Sequence, residues 1–246
     1  MHQASASRIV GALVARDLGC ALRNPTVLIC ILVSLAACWF FGTVPAADMR
    51  GIDGMQEFLL AFIAVLPTLM AGGVVTLFAM SEEQAHGTYR VMARGGAPLG
   101  LVVAGKVIAG ALLSAALTPL GFWLAGFAIG YLPAFAVAAV GSIASQMLFC
   151  AAALLSDDQM RANFWAGPLV LVGMLPLAGT FDPALGFLGL LSPQGFLAAA
   201  CALLIQGTPA GLGMTVPGMV ISGVLWLGLA AAALVASMRR WKRIHG

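Results

Sequence analysis

Long apolar runs separated by short polar islands dominate the chain. Thr26 to Val44 carries no charge, and neither does Phe58 to Met80; each is close to the ~20 residues a helix needs to cross about 30 Å of hydrocarbon. Val107 to Ser156 is also free of charge. It is too long for one crossing and right for two, with Gly130-Tyr131-Leu132-Pro133 as the turn signal between them. Asn163 to Thr180 follows, broken by Pro168 and Pro176, and Pro183 to Met238 is again uncharged. Two crossings in that last stretch would put the basic tail Arg239-Arg240-Trp241-Lys242-Arg243 on the opposite face from the other basic loops, whereas one keeps it with them. The pattern therefore predicts spans at 26–44, 58–80, 107–129, 132–156, 163–180 and 216–238. Residues 183–213 are left as a re-entrant or interfacial helical pair on the far side.

The expected fold is an all-α integral membrane protein, one transmembrane domain over 1–246. Residues 7–24 form an amphipathic helix that lies in the interface: Arg8, Arg16 and Arg23 fall on one side of its wheel, Val10, Val14, Leu18 and Ala21 on the other, and Asp17 sits off the basic stripe. Pro67 and Gly72-Gly73 interrupt the second span, which must then face protein or a water-filled path. Gly126 and Gly130 have small-xxx-small spacing, a weak signal in a chain with 30 glycines.

The longest polar island between two spans runs from Ser81 to Pro98. Thr88 is placed to cap a helix over 88–95, with Gly95 or Gly96 as its stop and Pro98 as the block beyond. A polar-based, apolar-tipped rod of about two turns suits docking into a partner's groove. A solvated connecting loop is the competing reading of the same residues.

Glu82, Glu83, Gly87-Thr88, Pro98 and Gly105-Lys106 together resemble the first cytoplasmic loop of ABC-2 type transporter permeases. That pattern runs Glu-x-Glu-x-Gly-Thr, a helix, a Pro, then Gly-Lys at the third span; its second acidic position falls here at Ala85 or His86. The run Arg16-Asp17-Leu18 with Arg23-Asn24-Pro25 is similar to the elbow helix of the same family, and Leu191-Ser192-Pro193 to its last external loop. The resemblance implies a coupling helix that inserts into a cytosolic ATPase, with Glu82, Glu83, Gly87, Thr88, Tyr89, Arg90, Met92 and Arg94 making the contact. It also implies two ABC ATPase subunits holding ATP and magnesium, and a second permease subunit, identical or homologous.

Composition agrees with the membrane reading: 61% hydrophobic and 9% charged residues, with a mean hydropathy of +1.02, against about 25% charge in soluble domains. On the six-span layout, 11 of the 12 basic residues lie on one side and Arg50 alone on the other. This asymmetry puts both termini in the cytoplasm; the bacterial-style layout gives a bacterial inner membrane as the expected location. The net charge of +3 marks topology and not nucleic-acid binding. Cys20, Cys30, Cys38, Cys150 and Cys201 have neither disulfide nor metal spacing.

Gly100 to Val107 nearly fits a phosphate loop, but Val107 stands where Ser or Thr should hold magnesium, and no strand precedes it. No catalytic set is visible, since His2, His86 and His245 all lie outside the spans. No span at these boundaries carries an ionisable residue in its interior, which disfavours an ion-coupled carrier. The expectation is an ATP-driven exporter subunit, with its cargo path among Thr68, Thr76, Phe122, Trp123, Gln146, Asn163 and Trp165. That lining suits an amphipathic or hydrophobic cargo such as an antimicrobial peptide, a drug or a lipid-linked molecule. The alternative is a non-pumping membrane scaffold or immunity protein that binds partners or a toxic peptide.

Overall fold

The structure, a computed structural model, describes residues 6–49, 53–95, 97–156 and 158–245. Arg50 and Gly96 lie outside them. Every regular element among the described residues is helical, and six helices are long and apolar enough to cross a membrane. In chain order the main elements are α1 (Ala6–Ala21), α2 (Pro25–Met49), α3 (Met55–Ala85), α4 (Thr88–Arg94), α5 (Leu99–Leu124), α6 (Tyr131–Leu155), α7 (Gln159–Gly173), α8 (Gly195–Gln206) and α9 (Val216–His245).

The crossing helices sort into a centre and a rim. In α3, α5 and α6, 72%, 61% and 67% of the most apolar stretch is buried, against 17% in α2, 22% in the segment Gln159–Thr180 that α7 begins, and 22% in α9. The central three join through Leu60, Ile63, Leu69, Leu77, Phe122 and Phe149, all essentially without exposure. The rim helices keep large apolar side chains such as Ile29, Leu171 and Val224 outward, which is what hydrocarbon tolerates and water does not.

Pro67 does not break α3. Between Thr68 and Val74 the helix widens into a π-helical segment, the common way of absorbing one residue too many. Thr76 Oγ1 donates to the Gly72 carbonyl at 2.6 Å, and Gly73 gives up its side-chain space to the Phe149 ring. Protein surrounds the interruption.

Several boundaries move from the sequence reading. α5 begins at Leu99, about two turns before residue 107, because Pro98 is extended at its N-cap (ψ 147°) and nothing stops the helix from starting there. It also ends sooner. Gly126 adopts φ +80°, and the amide of Phe127 bonds the Phe122 carbonyl at 2.9 Å, a glycine-terminated stop. Gly126 and Gly130 therefore flank a turn and are not a helix-packing pair. The fifth predicted span is a composite: α7 ends at Gly173 and a 3-10 segment, Leu175–Thr180, continues after the bend at Met174.

Residues 183–213 form short pieces around α8, whose 12 residues reach about 18 Å, too short to cross. Their backbone is satisfied by neighbours. Ser192 Oγ donates to the Gly173 carbonyl at 3.2 Å, while Ser222 Oγ and Trp226 Nε1 of α9 both donate to the Leu190 carbonyl at 3.2 and 3.0 Å.

Candidate functional site

α1 lies across the start of α5. Leu13 is buried where Gly105 leaves no side chain in the way, and Val10, Val14 and Leu18 of the predicted apolar face are half-buried beside it. Arg16 and Asp17 also turn toward the bundle. Arg8 and Arg23 stay exposed.

Four charges then meet. Lys106, only 6% exposed, places Nζ 2.9 Å from Glu83 Oε2 and 3.1 Å from Asp17 Oδ1. Arg16 Nη2 lies 2.7 Å from Asp17 Oδ1 and 3.1 Å from Glu83 Oε1. Burial works against the Arg16 charge, but the hydrogen bond and charge of Asp17, with Glu83 beyond, outweigh it and hold its pKa above the ordinary value. Lys106 thus sits inside a long helix, against the expectation of charge-free spans. It is tolerated because α1 and α3 each bring it a carboxylate. The near-phosphate-loop from Gly100 to Val107 lies within the same continuous helix.

α4 rests on this cluster. Gly87, at φ +67°, offers its carbonyl to the amides of Arg90 and Val91 at 3.1 and 3.4 Å. The helix starts from Gly87 and not from a Thr88 cap. At the other end the Ala97 amide reaches back to the Met92 carbonyl at 3.0 Å. Tyr89, 2% exposed, points inward: its hydroxyl donates to the Met80 carbonyl at 3.1 Å and its ring meets Trp241 of α9 edge-on at 6.4 Å. Met92 Sδ lies 3.8 Å from Arg16 Nη1. Arg90, Val91 and Arg94 face outward, with Val91 68% exposed. Glu82 is also exposed, and its carbonyl lies 2.8 Å from His86 Nδ1.

The predicted contact set therefore divides. Glu83, Tyr89 and Met92 anchor α4 inward, while Glu82, Arg90 and Arg94 face out. Arg16, Asp17 and Val91 were missing from the set. Asp17, the lone acid in a basic helix, was the available signal.

The predicted cargo residues also divide. Thr68, Thr76 and Gln146 are buried between α3, α5 and α6, where Gln146 Nε2 donates to Ser114 Oγ at 3.4 Å and leaves its Oε1 without a partner. Phe122 is buried edge-on to Phe127 at 5.8 Å. Trp123, Asn163 and Trp165 sit on the outer perimeter. They do not share one surface.

Beside the charged cluster lies a cavity of about 180 Å³. Asp17, Glu82, Glu83 and Lys106 line its charged end with Cys20 and Asn24, Val27, Val75, Ala79, Ala109 and Leu113 are among its apolar walls, and Thr76 and Gly110 also line it. Thr76 is about 10 Å along α3 from Glu83. Among the described residues no three His, Cys, Asp or Glu side chains are grouped to hold a metal ion.

No protein-family model matches the chain, and no curated protein matches its sequence.

Proposed function

We propose that the chain is the membrane-spanning permease subunit of an ATP-driven exporter of the ABC-2 type, with ATP hydrolysed on separate cytosolic subunits. One observation carries this reading. α4 presents Arg90, Val91 and Arg94 outward while its inward face is fastened to three elements at once: α3 through Tyr89 and Met80, α9 through Trp241, and α1 through Met92 and Arg16. A force applied to α4 would reach both chain ends and the central span together, as a coupling helix requires. In this reading α1 is the elbow helix, 183–213 lies on the external side, and both termini are cytoplasmic in a bacterial inner membrane. Two such subunits, identical or homologous, would surround a path for an amphipathic or hydrophobic cargo.

The test is co-purification with the candidate ATPase and measurement of its cargo-stimulated hydrolysis. Val91→Asp changes only the outward tip, so it should weaken assembly without loss of membrane insertion. Met92→Pro breaks the rod and should abolish stimulation. Normal stimulation in both variants would overturn the proposal.

A further inference from the structure

The last turns of α9 carry a group of cations whose direction the packing fixes. Arg239, Arg240, Lys242 and Arg243 are all exposed, while Trp241 between them is buried against Tyr89. At about 100° per residue, Arg239 and Arg243 lie within about 20° of the point opposite Trp241, and Arg240 and Lys242 flank that point on either side. Ala230, Leu234 and Ser237 are buried on the Trp241 side. Ile221, Leu225, Leu229 and Val235, each at least 40% exposed, fall on the outward side, within about 60° of the same point. The face that α9 turns to hydrocarbon therefore runs straight into the cations. Depth agrees with direction. Residues 216–238 reach about 34 Å against about 30 Å of hydrocarbon, so the next turn lies among the headgroups. Topology asks only that basic residues stay at this end of the helix, and not that they share its lipid-facing arc. α9 has no acidic residue to neutralise them, and none of the four forms an ion pair with a carboxylate among the described residues.

We infer that this end of α9 binds the phosphates of anionic phospholipids in the surrounding leaflet, with Arg239 and Arg243 at the centre of the contact and Arg240 and Lys242 at its sides. Three of the four cations are arginines, whose planar donors pair two phosphate oxygens at once. Each cation held at an anionic membrane surface strengthens the attraction by about fivefold. The inference rests on α9 crossing the membrane and not on the pump reading. Arg90 and Arg94 belong to the outward face of α4 and take no part in it.

The full chain in detergent is given equal amounts of phosphatidylglycerol and phosphatidylcholine with the same acyl chains, and the retained lipids are counted by native mass spectrometry. Phosphatidylglycerol should be kept at least about tenfold better. Arg239→Gln with Arg243→Gln should cut that preference by about tenfold, and Arg239→Lys with Arg243→Lys should keep most of it. Arg90→Gln with Arg94→Gln on α4 should leave it unchanged. Should the α9 glutamine pair fail to insert, the unaltered chain still decides: exchanging phosphatidylcholine for phosphatidylglycerol in nanodiscs should slow hydrogen exchange across 239–245 several-fold and leave 6–21 as it was. Equal retention of the two lipids, an equal loss in the α4 and α9 glutamine pairs, or unchanged exchange across 239–245 would overturn the proposal. So would binding of hexaglutamate that phosphatidylglycerol does not displace, which would make this end of α9 a contact for an acidic protein instead.

Discussion

Lys106 holds two carboxylates that have no other lysine within reach among the described residues. Replacing it with methionine keeps the volume and leaves Asp17 and Glu83 facing each other with only Arg16 between them. The expected loss is on the order of 3 kcal/mol, read as a lower Tm in detergent, with Arg23→Ala as the unaffected exposed control. Gly110 shows the opposite sensitivity, to added atoms. A Cβ there would collide with Gln146 Oε1 and reach Thr76 Oγ1 at 3.0 Å, so Gly110→Ala should destabilise by about 1–3 kcal/mol, and Gln146→Ala in the same chain should restore most of it. Tyr89 gives a pH signature. Burial first, then the charge of Glu83, raises its pKa well above the usual tyrosine value. A folded pKa above the unfolded one means that its contribution is whole below about pH 10 and is lost as pH rises through the folded value. Tyr89→Phe should flatten the decline of Tm above pH 10.

At the scale of elements, α4 and α8 are short helices held by neighbours rather than by their own length, since isolated helices under about 12 residues are marginal. For α8 and its flanks the decisive acceptor is the Leu190 carbonyl, which takes bonds from Ser222 and Trp226. Removing both donors, with Ser222→Ala and Trp226→Phe, leaves a carbonyl in apolar surroundings without a partner. Hydrogen exchange should then rise across 183–213 while α3 and α6 keep their protection. The π segment of α3 belongs to the same scale. Gly72 and Gly73 accept Ser114, Gln146 and Phe149 against the backbone, so this widened turn is packed and not loose.

At the scale of the molecule, the Arg16–Glu83 and Tyr89–Trp241 contacts gather α1, α4 and the end of α9 at one end of the bundle. Six crossings require the same thing of the two termini. A reporter enzyme active only outside the cytoplasm, fused after Gly246, should be silent, and strong activity would reverse the orientation expected from the basic residues.

The apolar runs determined six helices long enough to cross, because the length of hydrocarbon to be spanned is fixed, while the basic tail, and not the run from Pro183 to Met238 itself, argued for a single crossing in that last stretch. Helix ends were less legible. Leu99 and Gly126 mark the limits of α5 and its stop through backbone geometry that an uncharged sequence does not advertise. Glu83, Tyr89 and Met92 entered the sequence reading as outward contacts implied by the resemblance, and a loop sequence does not say which way each side chain points; the structure turns all three inward. Only the tertiary structure turned Asp17 toward Lys106, since a helical wheel weighs one helix in isolation. Of the two carboxylates that make the buried lysine tolerable, Asp17 is 89 residues away in the chain, and only packing brings the two together.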